Sequence, residues 1–517
     1  MAWARAAIFA ALSFLCTALA AQDVTLTSPD GHVELSGTLL GFDGEFYRIE
    51  TIYGELTVDG SGVLCDGPAC PNLQDFVAEV SISGSSTMGS VLMPALIEGF
   101  ALRNDYVANR KAVGPANFVY ELRDAATDKA VALFFFHVST TDEGFADLLA
   151  NDADIVMALR EIRPDERQRA RDAGMGDMTD ANRSRVLALD AMVPIVAPTN
   201  PVDQISPQAL AQVFAGRITN WQQLGGADAP ISLHLPGART GLGQTVEDEI
   251  MDPARMAFAE GIIRHDRAGN VVDAVLRDPF AIGIASYAET GNTRALTLTG
   301  SCGFSLSAAR GTIKTEDYPL TAPMFLYMPA RRLPKVAREF LAFTRGVSAQ
   351  NMIRRAGFID QAPEEISIND QGYRFANAVT SAGPEITLGE LQRMTRTLYG
   401  MARLTTSFRF EAGSVRLDAQ SRSNVQQLAR ALEQGKYDAR QILLVGFSDG
   451  DGPSTANRDI ALRRAEAVKR AVMAAAETAN FERIQLSVDA FGEALPMACD
   501  DSAWGRQANR RVEVWVR

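Results

Sequence analysis

Four motifs near the C-terminal end concentrate groups able to hold charge: GFSDGDG (446–452), NRDIALRRA (457–465), FGEALP (491–496) and NRRVEVWV (509–516). They carry a carboxylate at Asp449, a guanidinium at Arg464, and further polar groups at Asn457, Asn509 and Arg511. A carboxylate pairs with a cation, and a planar guanidinium takes an oxyanion in a two-pronged fork. Much earlier, VSISGSSTMGSVLMPALIEGFA runs from an apolar strand through the hydroxyls of Ser85, Ser86 and Thr87 into an amphipathic helix. Such a helix start offers unpaired N–H groups and a positive dipole end, which suits an anion. A Ser/Thr-rich turn is also an ordinary helix cap, so this stretch gains meaning only from the segments downstream of it.

The C-terminal motifs need a strand and a helix to bring them together. QILLVGFSDG reads as a strand, with Ile442, Leu443, Leu444 and Val445 entering a Gly/Asp/Ser turn. Asn457 through Ala475 reads as a helix, with Ile460, Ala461, Ala465, Val468 and Val472 at helical spacing beside Arg464. Asp449 at the strand end then lies close to Arg464. Taken singly, Asp449 reads as a turn cap and Arg464 as a solvated charge; four motifs in order read differently. Their order and spacing resemble the OmpA-like peptidoglycan-binding domain, a βαβαββ fold that grips diaminopimelate in the wall peptide. The resemblance implies that Asp449 pairs with the ligand's ammonium and Arg464 with its carboxylate, while Asn457, Asn509 and Arg511 hold loops and complete the pocket. Phe447 stands where the family often carries His or Tyr. Phe410 and Ser414 fit the family's opening.

Between these regions come FHVSTTDEGFADLLANDADIVMALREI, MVPIVAPTNPVDQISPQALAQVFAGRITNWQQLGG, DPFAIGIASYAE and YPLTAPMFLYMP. The succession resembles the type II periplasmic solute-binding fold and, within it, the phosphate-binding proteins of ABC transporters. Two α/β lobes joined by crossing strands would close on a ligand by hinge motion. The resemblance implies an anion site built from Ser85, Ser86 and Thr87, from Ser139, Thr140 and Thr141, from Arg160, and from Arg239, Thr240 and Gly241. Leu159 replaces the Ser that usually precedes the Arg, and PGARTGLGQTVED lacks a clean S-G-T. These departures bear on the ligand more than on the fold. Phosphate or a similar oxyanion is expected; the alternative is that these hydroxyls cap helices and the arginines are surface charges.

MAWARAAIFAALSFLCTALAAQ carries Arg5, an apolar run and small residues before Ala21, and so reads as a signal peptide over residues 1–21. Cys16 lacks the small residue that a lipid-anchor site needs before it. No later run reaches the roughly 18 apolar residues of a membrane span. Export together with wall binding predicts the periplasm, in association with peptidoglycan and the outer membrane. A formal charge of −13 disfavours nucleic acid as a partner, and 47% hydrophobic with 22% charged residues is ordinary globular material.

The chain then divides into a small SH3- or Sm-like β-barrel (22–76), the solute-binding domain (77–360), a linker with one helix (361–404) and the OmpA-like domain (405–517). The first module alternates apolar and polar residues between the turns PDG, FDG, YGE and DGSG, predicting four or five short strands. Its aromatics, Phe42, Phe46, Tyr47 and Tyr53, read as core sooner than as a binding face. Cys65 and Cys70 predict a small-loop disulfide, while Cys302 and Cys499 leave pairing or free thiols open. His32, His137, His234 and His265 fall in unrelated segments, so no metal site, cofactor site or hydrolase constellation is expected and the chain does not read as an enzyme. Two functions remain: a wall-tethered solute-binding protein, which feeds an ABC transporter or reports to another envelope protein, or a structural adaptor whose two-lobed domain has exchanged its small ligand for a protein partner.

Overall fold

A computed structural model describes residues 23–73, 76–411 and 413–517; the expected signal peptide lies outside them. The described residues form two compact units, one running up to Ala78 and including 332–336, the other 79–331 with 337–517.

In the first unit five antiparallel strands stand in the order Gly54–Asp59, Phe46–Thr51, Glu34–Phe42, Val24–Thr27, Leu64–Asp66. Their number matches the turn signals, but the expected barrel does not close: among the described residues the two end strands are not paired. The last strand is only three residues long, too short for a second ladder beyond its pairing with Thr25–Thr27. Val24, Leu26, Tyr47 and Ile49 form a small core, which is why the Cys65–Cys70 disulfide matters here. Of the aromatics Tyr47 is core, Phe42 packs on it at 4.6 Å, and Tyr53 is exposed.

The second unit holds two lobes and a C-terminal sheet. In the first lobe Ala78–Ser85 pairs in parallel with Ile155–Ala158 and neighbours Ala130–Ser139. In the second, Ser232–Pro236 runs parallel to both Ile263–His265 and Ala281–Ser286. The thirteen-residue strand Ser184–Val196 joins them, pairing first with Thr321–Tyr327 and then with Ala281–Ser286. This crossing strand is the connection expected of a two-lobed fold.

The C-terminal sheet has the order Glu365–Ser367, Ala402–Arg409, Arg511–Val516, Gln441–Phe447, Gln485–Gly492. Helices Ala419–Glu433 and Ser454–Ala475 cover one face, packing on Ile442 and Leu444. Leu443, Val445 and Phe447 point the other way and meet Leu391, Met394 and Leu398 of helix Leu388–Leu398. Burial on both faces explains the unbroken apolar run of QILLVGF. The stretch expected as a linker with one helix is therefore built into this sheet. It supplies an edge strand and a second helix, Gly372–Thr380, and Gly400 at φ +74° turns the chain out of the longer helix.

Two devices fasten this sheet to the lobes. Cys302 is disulfide-bonded to Cys499, 197 residues away. Arg403 grips Asp317 through both carboxylate oxygens at 2.6 and 3.0 Å, while Glu513 takes Arg374 at 2.5 Å and Arg511 at 2.8 Å. Asp317, Arg403, Arg511 and Glu513 are all buried. Among the described residues no helix is long and apolar enough to cross a membrane.

Candidate functional site

Gly446 decides how closely the C-terminal helix lies against its sheet. A Cβ there would run into the backbone carbonyl of Ala461, so the helix Ser454–Ala475 can lie this close only to a glycine. The approach carries Arg464 into the electrostatic reach of Asp449. Arg464 is 5% exposed, its Nε has no hydrogen-bond partner, and its guanidinium lies 5.3 Å from the Phe410 ring. Burial, then Arg510, lower its pKa, and Asp449 opposes them. Asp449 does not touch Arg464; its carboxylate takes Arg510 at 2.5 Å. The pKa of Glu493 is raised, first by burial and then by Glu385, Asp500 and Asp449, so acid groups gather around Asp449.

The remaining predicted residues divide by role. Asn457 ties the Gly452 carbonyl (3.2 Å) to the Glu493 carboxylate. Asn509 accepts from Met497 and Ala498 and donates to Asp500, holding one loop. Arg511 points into the core, over Phe447 at 4.4 Å and onto Glu513, and so supports the sheet rather than the pocket. Sequence reasoning passed over Arg510, because alternation along NRRVEVWV was not used to separate the arginine facing the pocket from the one facing the core. It also missed Glu385, which accepts from the Ser454 N–H at 2.6 Å and comes from the supposed linker.

In the first lobe Ser85 and Ser139 end neighbouring strands at the same edge. Ser83 and His137, two residues earlier on each strand, lie 3.4 Å apart, and a Cβ on Gly144, just after the second strand, would meet Gly84 at 2.9 Å. Both terminal hydroxyls are buried without a partner. Thr87 is half-buried and Ser86 exposed. Thr140 and Thr240 are spent as caps on Glu143 and Gly243, and Thr141 accepts from the Leu159 N–H at 3.2 Å. Arg160 is buried and held by Glu166 at 2.7 Å and by Asp142, leaving Nε unpartnered. These carboxylates keep its pKa above the ordinary value against the burial that would lower it. A Cβ on Gly241 would meet Leu159 at 3.0 Å and Thr141 at 3.1 Å, so the two lobes close tightly there. Arg239 stays exposed and is not drawn in.

Histidines that looked scattered form two contacts. His234 and His265 are 3.0 Å apart, and His137 reaches Asp147 at 2.8 Å. Ser83 donates a hydrogen bond to that same Asp147 at 2.5 Å, so one carboxylate holds both the serine and the imidazole.

A profile of the PBP superfamily domain matches residues 71–345, more than half of the chain, and one of the OmpA family matches residues 409–510. Over 273 residues the chain is 24% identical to the protein SphX of Synechococcus elongatus, covering 50% of this chain and 78% of that one. It is 22% identical over 197 residues to the phosphate-binding protein PstS of Borreliella burgdorferi, covering 37% and 70% respectively. Among solved structures, an ABC-type phosphate transport receptor from Vibrio cholerae aligns with 54% of this chain and 99% of its own at 21% identity and a TM-score of 0.40. The chain belongs to the PBP superfamily, with a PstS-like domain joined in one polypeptide to an OmpA family domain.

Proposed function

We propose that this is an exported binding protein of the periplasm, held on peptidoglycan, whose two-lobed domain takes phosphate or a similar oxyanion. The observation that carries the second half is a set of buried polar atoms left without partners, Ser85 Oγ, Ser139 Oγ and Arg160 Nε. All three belong to the expected anion ligands, and each unpaired buried group costs about 1–3 kcal/mol that ligand oxygens would recover. For the wall, the acid-rich rim around Asp449 suits the ammonium of diaminopimelate, and the unpartnered Nε of Arg464 suits its carboxylate. The ammonium would displace Arg510 from Asp449 or share that carboxylate with it. Ligand caught in this way would pass to an ABC transporter or be reported to another envelope protein.

One observation favours the adaptor function instead. Arg160 is already neutralised by Asp142 and Glu166, and Leu159 fills the space beside Gly241. Calorimetric titration of the full chain with phosphate separates the two. Binding that weakens at least tenfold in Ser85→Ala/Ser139→Ala supports the oxyanion site; no heat at millimolar phosphate supports the adaptor.

A further inference from the structure

A second cavity, of about 660 Å³, lies away from the predicted anion site, between the crossing strand, the turn at Thr344–Val347 and the helix Ala419–Glu433. Its lining includes Arg185, Arg345, Arg354, Arg422, Arg430 and Lys436, and no Asp or Glu. Arg422 is paired with Glu161 at 2.7 Å, and Arg354 with Asp360 at 3.4 Å. Lys436 lies 5.5 Å from the ring of Tyr437. Arg185, Arg345 and Arg430 differ: among the described residues no carboxylate comes within ion-pair distance of any of them.

Arg185 is held in place by the Leu341 carbonyl at 2.5 Å and Thr344 Oγ1 at 3.3 Å, and its Nε is buried without a partner. Arg345 is exposed at the mouth. Withdrawal from water, then Arg430, push Arg345 down to about 10; burial, then Arg345 and Arg430, lower Arg185 in the same way. Three guanidiniums that repel one another and lack an ion-pair partner, with Glu433 acting on Arg430 only from beyond that distance, oppose the fold to the extent that they are withdrawn from water. The wall around them is braced: Gln427 donates to Gln361 at 3.0 Å, and the Gln361 N–H to Gln350 at 2.7 Å. The volume suits a small organic molecule and exceeds what inorganic phosphate would fill.

We infer that this cavity is a second anion site, for a soluble polyanion of the polyphosphate or phosphate-ester class that brings about one negative charge for each unpaired guanidinium. Arg185 and Arg345 come from the lobes and Arg430 from the C-terminal domain, so such a ligand would also fasten the joint between them.

The test is calorimetry and thermal unfolding of the full, oxidised chain at low salt with tripolyphosphate as the probe. The expected result is one-to-one binding that weakens as salt rises, raises the melting temperature, and drops at least tenfold in Arg345→Ala/Arg430→Gln. That variant relieves repulsion, so without ligand it should melt no lower than wild type, and Ser85→Ala/Ser139→Ala should bind tripolyphosphate as wild type does. The inference is overturned if millimolar tripolyphosphate does not bind, if the arginine variant binds equally well, or if the serine variant loses binding. Arginine-dependent binding to phosphatidylglycerol vesicles in place of the soluble probe would overturn the soluble source of the phosphate group.

Discussion

Replacing Arg403 by Met probes the joint between the lobes and the C-terminal sheet. Arg403 gives two hydrogen bonds to Asp317, a third to Ser407 at 3.0 Å, and stands 3.5 Å from Glu513. Glu513 would keep Arg374 and Arg511, whereas Asp317 would keep the Thr315 hydroxyl at 2.8 Å and, as its nearest cation, Arg409 at 3.6 Å. Arg403 and Asp317 are 2% and 5% exposed at their side chains, so water cannot replace the lost partner. Stranding a buried charge in this way costs about 3–5 kcal/mol. Arg403→Met/Asp317→Leu removes both charges and should recover most of that loss, giving a large coupling in a double-mutant cycle. Urea unfolding followed by far-UV circular dichroism, with both disulfides oxidised, reads it. A single-variant cost under about 1 kcal/mol, or a double cost equal to the sum of the singles, would refute the buried network as a coupled unit.

Three further outcomes are expected. Glu316 is pushed up to about 8 by burial first and then Asp418, from an ordinary 4.5. The folded chain thus holds this proton more tightly than the unfolded chain, and the stability it contributes is complete below the unfolded pKa and lost as pH rises through the folded one. Between pH 6 and 9 wild type should therefore lose ~2–3 kcal/mol that Glu316→Gln keeps; parallel pH–stability curves would contradict this. Cys302→Ser opens a disulfide that closes a loop of 197 residues, worth roughly 5 kcal/mol in the chain-entropy picture, and the midpoint in urea should fall accordingly. Gly446→Ala should cost about 1–3 kcal/mol through overpacking against Ala461 and weaken sedimentation with peptidoglycan by moving Arg464; an unchanged variant would refute the close approach.

What the sequence disclosed came from local chemistry. The strand at Gln441–Phe447 and the helix after it were legible, because an apolar run, a glycine and helical periodicity sit within a few dozen residues, whereas the partner that Asp449 takes, Arg510, was not. The supposed linker was misjudged because its helix Gly372–Thr380 buries little beyond Ala378 and leaves Tyr373 and Val379 exposed, so its periodicity is faint. Buried charges were illegible for a different reason. Asp317, Arg403 and Glu513 each look solvated when read alone, and only tertiary contact shows that they neutralise one another. The Cys302–Cys499 bond was equally hidden, since sequence distance says nothing about partners that lie in different folded parts. In the anion set, hydroxyl clusters were visible, but which hydroxyls were spent as caps depended on helix starts one residue away.

Sedimentation of labelled phosphate with purified peptidoglycan that carries the full chain bears on wall holding and oxyanion capture at once. Phosphate should sediment with wild type; Asp449→Ala and Arg464→Ala should leave both chain and phosphate in solution, and Ser85→Ala/Ser139→Ala should sediment without phosphate. Wild-type chain that sediments with no phosphate above background, or clamp variants that sediment as wild type does, would contradict a wall-held oxyanion-binding protein.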